Sequence, residues 1–336
     1  MTELRNSVEW QDDHLEVIDQ TALPEHFEIV KLATVDEVID AIKRLAVRGA
    51  PAIGVCGAYG VVLGLDEGHE LDSIVDEIGA ARPTAANLRW AVSRVAAAAS
   101  AAESREDVRR LALEEARRIQ HEDRESCLRI GELGRAELAS VTRVMTHCNT
   151  GRLATSGIGT ALGIVYAKAQ AGEPIEVVVT ETRPLLQGAR LTTWELAEAG
   201  IHVTLISDAA AGAALATHRV DAVLVGCDRV ARNGDVANKI GTYSLAVLAR
   251  TAGLPFYVAG PLSSFDPHAE DGASIEIELR SADEVRMVGN AMVAPGVEAW
   301  NPAFDVTPAD LVTAFITDAG VLRPPYTASI AAALEP

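Results

Sequence analysis

Aromatic side chains make up only 4% of the 336 residues, so the core cannot rest on stacked rings and must come from Ala, Val, Ile and Leu. Basic residues are scarce as well: 29 Lys and Arg stand against 48 Asp and Glu, a formal charge of −19. A nucleic-acid-backbone binder needs the opposite balance, because Lys and Arg neutralise the phosphates. No nucleic-acid partner is therefore expected, although a few specific arginines for one small phosphate remain compatible with the composition. The four cysteines, at 56, 127, 148 and 227, include no close pair. That supports neither a zinc knuckle nor a redox dithiol, and reduced thiols packed as small hydrophobes are the ordinary expectation. Long apolar runs are missing too. The longest, Ala52 to Leu65, is broken by Gly54, Gly57, Gly60 and Gly64, short of the roughly 20 residues a membrane span requires. The opening Met1 to Asp13 is polar and acidic, unlike a signal peptide, so the chain reads as cytoplasmic with no membrane partner.

What is present fits a globular chain of one large or two modest domains: 49% of the residues are apolar. Residues 1–33 alternate weakly, as in Leu15-Glu16-Val17-Ile18-Asp19, and predict a small hairpin-like sheet. Thr34-Val35-Asp36-Glu37 has the form of a capping box before a helix with Val35, Val38, Ile39, Ile42 and Leu45 at helical spacing. Ala52 to Leu65 predicts a closely packed buried helix. From Asn87 to about residue 135 the chain is Ala-, Glu- and Arg-rich, with no Pro and no Gly before Gly131, which is long-helix composition.

The second part differs. Val144-Met145-Thr146, Glu176 to Val179, Val203 to Ile206, Ala222 to Val225 and Phe256-Tyr257-Val258 are β-branched or apolar runs. Helical stretches such as 157–170, 191–199 and 239–251 separate most of them, which predicts βαβ units and a buried, mainly parallel sheet. The expected fold is α/β. A mostly helical N-terminal domain with a small β element covers 1–132, and a catalytic domain covers 133–336.

Ligands of such sheets bind beyond the carboxyl ends of the strands. Those ends here are His147-Cys148-Asn149-Thr150-Gly151, Thr180-Glu181-Thr182-Arg183-Pro184-Leu185-Leu186-Gln187-Gly188, Ser207-Asp208 and Gly226-Cys227-Asp228-Arg229, followed by Asn238-Lys239. Cys148 stands next to a glycine turn expected to open a helix, where backbone amides cradle an anion. The other reading is a packed thiol beside an ordinary turn. Asp228 follows an apolar strand, where desolvation favours the protonated carboxyl and suits a general acid; as a turn cap it would need no such property. Arg48 beside Gly49-Ala50-Pro51, and Arg82 beside Pro83, are candidate bidentate phosphate clamps or plain surface arginines. Lys239 is expected at a helix N-terminus, where the dipole disfavours a cation unless an anion binds there. His147, adjacent to Cys148 on an extended segment, is poorly directed for a thiolate–imidazole pair. His121 has no second His at helical zinc spacing, and no Gly-x-Ser-x-Gly elbow or Walker loop occurs. Gly151, Gly157 and Gly159 do not form the dinucleotide fingerprint, so no nicotinamide cofactor is expected.

Taken in order, Arg48-Gly49-Ala50-Pro51-Ala52-Ile53-Gly54, Arg82-Pro83-Thr84, Thr146-His147-Cys148-Asn149, Glu181-Thr182-Arg183-Pro184, Gln187-Gly188, Gly226-Cys227-Asp228-Arg229 and Asn238-Lys239-Ile240-Gly241-Thr242 resemble the methylthioribose-1-phosphate isomerase family of methionine salvage. The resemblance spans nearly the whole chain. It groups the sequence with ribose-1,5-bisphosphate isomerases and with regulatory subunits of the eukaryotic initiation-factor exchange complex. It implies a helical N-terminal domain, a Rossmann-like C-terminal domain, a homodimer and a sugar-phosphate substrate, with no metal and no cofactor. Its catalytic pair falls on Cys148 and Asp228. Its substrate contacts fall on Arg48, Gly49, Ala50, Arg82, Gln187, Asn238 and Lys239. Cys227 departs from it, since alanine is usual there. The implied activity is aldose–ketose isomerisation of 5-methylthioribose 1-phosphate. The alternatives are a 5-deoxyribose 1-phosphate or ribose 1,5-bisphosphate isomerase, or a non-catalytic regulatory subunit.

Overall fold

The computed structural model describes residues 5–82, 85–289 and 291–335, so Pro83 and Thr84 of the Arg82 motif lie outside the described residues. The chain divides into two compact units. The first holds the described residues up to Leu128 together with Thr150–Gly159. The second holds Arg129–Asn149 and the chain from Thr160 onward.

The first unit opens on a three-stranded antiparallel sheet, β1 (Val8–Trp10), β2 (Leu15–Ile18) and β3 (Ile29–Leu32). Helix α1 (Val35–Lys43) starts at the expected capping box. Thr34 Oγ1 accepts from the Glu37 amide at 3.2 Å, and Glu37 Oε2 accepts from the Thr34 amide at 3.1 Å. Helix α2 (Ala50–Asp66) is buried from Ala52 to Gly64. Its glycines are packing positions: a Cβ at Gly57 would lie 2.4 Å from Leu88 Cδ1 on α4 (Ala86–Ala99), and one at Gly64 would lie 2.8 Å from Ile74 on α3 (Leu71–Gly79). The stretch expected as one long helix is two, α4 and α5 (Arg105–Glu137). Ser104 makes the break, because its Oγ accepts from the Asp107 amide at 3.2 Å and starts a new helix.

The second unit is a Rossmann-like sandwich. Its strands and helices, in chain order, begin with β4 (Arg143–Thr146), α6 (Ala161–Gln170), β5 (Glu176–Thr180), α7 (Thr193–Glu198), β6 (Val203–Ile206), α8 (Ala211–Ala216) and β7 (Ala222–Val225). There follow β8 (Arg229–Val230), β9 (Val236–Lys239), α9 (Thr242–Thr251) and β10 (Phe256–Ala259). The end of the unit comprises α10 (Ala282–Arg286), β11 (Met287–Val288), β12 (Ala291–Met292), β13 (Phe304–Thr307), β14 (Ala314–Thr317), β15 (Gly320–Leu322) and α11 (Tyr326–Leu334). The main sheet has seven strands in the order β15-β14-β10-β7-β4-β5-β6, parallel except for β15. β7, β10 and β14 are buried at every position, as strands covered on both faces must be. Each fully buried valine or leucine there contributes about 1.5–3 kcal/mol.

Two expectations need correction. Lys239 does not open a helix. It ends β9, which pairs antiparallel with β13 through Asn238↔Asp305 and Lys239↔Phe304, and α9 starts only after Gly241 at φ +105°. Nor does a helix start at the glycine turn after Cys148. A single 3-10 turn, Arg152–Ala154, follows, and α6 begins at Ala161. Among the described residues no helix is long and apolar enough to cross a membrane.

Candidate active site

The strand order reverses between β4 and β7. From β4 the chain runs outward through β5 and β6, then returns to place β7 on the other flank of β4. At such a switch point the loops leave in opposite directions and open a crevice for ligand. Cys148 follows β4 and Asp228 follows β7, and these strands pair in parallel through Val144↔Ala222 and Met145↔Val223. Adjacent strands lie about 4.8 Å apart, so both candidate residues follow the same end of the sheet.

Cys148 sits at φ +65°, a left-handed conformation that costs a residue bearing a Cβ about 1–2 kcal/mol. Its surroundings hold it there. Its amide donates to Thr182 Oγ1 at 2.9 Å, and its carbonyl accepts from Thr192 Oγ1 at 2.6 Å. Thr182 is itself left-handed, at φ +62°, and fully buried. The Asp208 carboxylate fixes that turn, accepting from the Thr182 amide at 2.8 Å and the Arg183 amide at 2.7 Å. Strain held by several bonds at one strand end characterises functional loops. The neighbouring Asn149 donates through Nδ2 to buried Glu195 at 2.7 Å.

Gln187 is buried, and its Nε2 lies 3.4 Å from Cys148 Sγ. Its Oε1 is buried without a hydrogen-bond partner among the described residues. An unmet buried acceptor costs about 1–3 kcal/mol, so a ligand hydroxyl donating to it gains that much. Gln187 is set by the turn of π-helix Gly188–Thr192, a geometry frequent at functional sites. Gly188 is obligatory, since a Cβ there would lie 1.9 Å from the Thr180 carbonyl oxygen. Gly188→Ala is expected to cost at least about 1–3 kcal/mol, read as a lowered urea midpoint. An unchanged midpoint would show that the turn yields freely.

On the other flank, Asp228 is half-buried, and its amide donates to the Ala237 carbonyl at 3.0 Å. Asn238 is buried and donates to Thr242 Oγ1 at 3.0 Å. Lys239 Nζ donates to the Ala303 carbonyl at 2.8 Å and lies 4.6 Å from the centre of the Phe304 ring. Asp305 accepts from the Gly241 amide at 2.7 Å and the Tyr243 amide at 3.1 Å, capping α9 from the neighbouring strand. Burial raises the Asp305 carboxyl above the usual range against those two bonds. Burial and then the charge of Asp228 push the Cys227 thiol up to about 12, so Cys227 is a packed, protonated thiol. Both His147 ring nitrogens have partners, Thr180 Oγ1 at 2.6 Å and the Ile240 carbonyl at 2.7 Å, so it forms no Cys–His pair.

Cys148, Gln187, Asp228, Asn238 and Lys239 thus all lie in the second unit. Arg48, Gly49, Ala50 and Arg82 belong to the first. There Gly49, at φ +85°, caps α2, and a Cβ on it would lie 2.5 Å from the Ala154 backbone. Ala50 is the first residue of α2, and Arg48 and Arg82 are half-buried. Thr182, Thr192, Asp208 and Asp305 were not singled out from the sequence. Asp208 was visible only as a polar strand end, Thr182 as a strand end and part of the Glu181-Thr182-Arg183-Pro184 motif with no role given to it, and Thr192 lay inside what reads as an ordinary helix.

Sequence comparison agrees with this architecture. Residues 46–324 match the initiation factor 2 subunit family, and the chain belongs to that family. Its relatives include the methylthioribose-1-phosphate isomerase of Desulforamulus reducens, 48% identical over 97% of this chain and 98% of that one. They also include the 5-deoxyribose 1-phosphate isomerase of Moorella thermoacetica, 50% identical over 97% of both. Among solved structures, the 5-methylthioribose 1-phosphate isomerase of Pyrococcus horikoshii superposes with a TM-score of 0.91 at 41% identity, covering 99% of this chain and 97% of that one. The translation initiation factor eIF-2B subunit delta of A. fulgidus gives a TM-score of 0.88 at 44% identity, covering 99% of this chain and 100% of that one.

Proposed function

We propose that the chain is an aldose–ketose isomerase that converts 5-methylthioribose 1-phosphate to 5-methylthioribulose 1-phosphate. The observation that carries this reading is the placement of Cys148 and Asp228 after adjacent parallel strands where the sheet order reverses. A scaffold subunit has no use for a strained cysteine and a carboxyl at that end of the sheet. The relatives named as isomerases point the same way.

The chemistry follows from the substrate. A phosphate on the anomeric carbon blocks the free aldehyde from which ordinary isomerases start. Asp228, as the acid, protonates the ring oxygen, the bond from that oxygen to carbon 1 breaks, and carbon 1 is left electron-poor. Hydrogen then moves from carbon 2 to carbon 1, and the carbon 2 hydroxyl loses its proton as the ketone forms, so one proton enters and one leaves. Cys148 serves the hydrogen-transfer step, as acid or base if a proton moves, or as a wall of a dry pocket if hydride moves. Arg48 and Arg82, with the Gly49 and Ala50 amides, bind the phosphate. Gln187, Asn238 and Lys239 contact the sugar phosphate. The enzyme works as a cytoplasmic homodimer.

Turnover of the purified protein with the 1-phosphates of 5-methylthioribose, 5-deoxyribose and ribose 5-phosphate tests this. The highest kcat/KM is expected for the methylthio sugar. A 5-deoxy preference would instead favour the activity named for the Moorella relative. Arg48→Lys is expected to raise KM roughly tenfold, because a fork becomes a point charge. Unchanged KM in both Arg48→Ala and Arg82→Ala would remove the two arginines from the phosphate.

A further inference from the structure

His147 is buried between two loops that carry different parts of the site. Its Nε2 is 2.7 Å from the Ile240 carbonyl oxygen, and a carbonyl only accepts, so Nε2 carries the proton. Its Nδ1 is 2.6 Å from Thr180 Oγ1 and 3.4 Å from Thr182 Oγ1; with the ring neutral, Nδ1 accepts, and the nearer Thr180 hydroxyl donates to it in preference to the Thr146 carbonyl at 3.4 Å. The ring fills the space beneath the turn after β9: a Cβ on Gly241 would lie 3.1 Å from both Nε2 and Cε1. His147 adjoins Cys148 in the chain, whose left-handed backbone is fixed by Thr182. Ile240 adjoins Lys239, at the end of a different, three-stranded sheet formed by β8, β9 and β13.

Building on the isomerase reading, we propose that His147 is a positioning residue. As a neutral imidazole protonated on Nε2, it ties the Cys148 elbow to the turn after β9, the strand carrying Asn238 and Lys239, and so sets where the thiol stands relative to the bound sugar. Burial, helped by the Lys239 charge, lowers the imidazole's proton affinity. The Asp208 charge and the Ile240 carbonyl oppose that shift. A neutral ring protonated on Nε2 satisfies both hydrogen bonds, donating to Ile240 and accepting from Thr180. The tie matters because a displacement near 1 Å at a reacting group costs on the order of 10²-fold in rate.

The test starts from wild-type turnover of 5-methylthioribose 1-phosphate, followed by His147→Leu and His147→Gln. The leucine variant is expected to stay folded at the assay temperature and to lose at least roughly tenfold in kcat, with KM shifted less than about threefold. Glutamine keeps an N–H within reach of Ile240 and is expected to restore most of kcat. If His147 is only structural, both variants melt earlier yet keep the wild-type kcat well below the melting temperature, and the proposal is overturned. Should the leucine variant not fold, Thr180→Val removes the nearer Nδ1 partner, leaving Thr182 Oγ1 at 3.4 Å, and is expected to lower kcat; unchanged kcat there also overturns the proposal. Nitrogen-15 NMR of the wild type adds a readout independent of activity. The neutral Nε2–H tautomer is expected between about pH 6 and 8, and an imidazolium or an Nδ1–H tautomer contradicts the tie. A wild type inactive on every sugar 1-phosphate would sink the isomerase reading instead, while the NMR signature still reports on the contact.

Discussion

Cys148→Ser is expected to reduce turnover by at least ~10²-fold while the protein remains folded. Serine is nearly isosteric, and the bonds that hold the elbow do not involve the side chain. The residue 148 amide still donates to Thr182 Oγ1, and its carbonyl still accepts from Thr192. What changes is the chemistry at the tip. A hydroxyl gives up its proton far less readily than a thiol, and it is a smaller, more polar group beside Gln187 Nε2. Both routes for hydrogen transfer suffer, the proton route through lost acid–base capacity and the hydride route through a wetter wall. Serine at Cys56 is the control. That thiol is fully buried and pushed up to about 12 by burial alone, so its loss affects stability, not rate. Steady-state rates beside thermal melts separate the two. Near-normal turnover in Cys148→Ser would reduce Cys148 to packing.

Asp228→Asn carries the larger expected effect, a fall in turnover of ~10²–10⁴-fold with substrate binding kept within a few-fold. Asparagine keeps the shape and the hydrogen-bonding capacity of aspartate, and the backbone bond from residue 228 to Ala237 is untouched. It has no proton to give the ring oxygen. If Asp228 merely capped the turn between β7 and β8, asparagine would serve about as well, because it caps turns as aspartate does. Calorimetric binding with single-turnover rates distinguishes these cases. An active asparagine variant ends the acid assignment.

The strand ends were legible because a parallel sheet buried on both faces must be written as continuous apolar runs, and polar residues then mark where each run stops. Val144 to Thr146 and Ala222 to Val225 are such runs, and they led to Cys148 and Asp228. β9 was not legible. Val236-Ala237-Asn238-Lys239 has little strand character alone and becomes a strand by pairing with Phe304–Thr307, more than sixty residues on. Its neighbour Thr242 does start a helix, so the pattern shifted that helix forward over Lys239. The glycine turn after Cys148 misled for a related reason, because its start signals precede a 3-10 turn and irregular chain before α6. The supports of the elbow were hidden most deeply. Nothing local shows that Thr182 will sit at φ +62°, because Cys148 beyond β4 and Asp208 beyond β6 fix it, or that the loop folds back to bring Gly188 against the Thr180 carbonyl at its own start. The phosphate roles expected of Arg48 and Arg82 came from the resemblance, since these residues alone look like many surface arginines.

The most direct measurement is proton and phosphorus NMR of 5-methylthioribose 1-phosphate incubated with the purified chain. The expected result is loss of the anomeric proton signal and growth of a ketose 1-phosphate whose phosphate remains esterified to carbon 1. The folded Asp228→Asn variant should leave the spectrum unchanged over the same period. A folded wild-type protein that leaves the sugar phosphate intact, or that releases inorganic phosphate, would contradict the assignment of Cys148 and Asp228 as the centre of an isomerase.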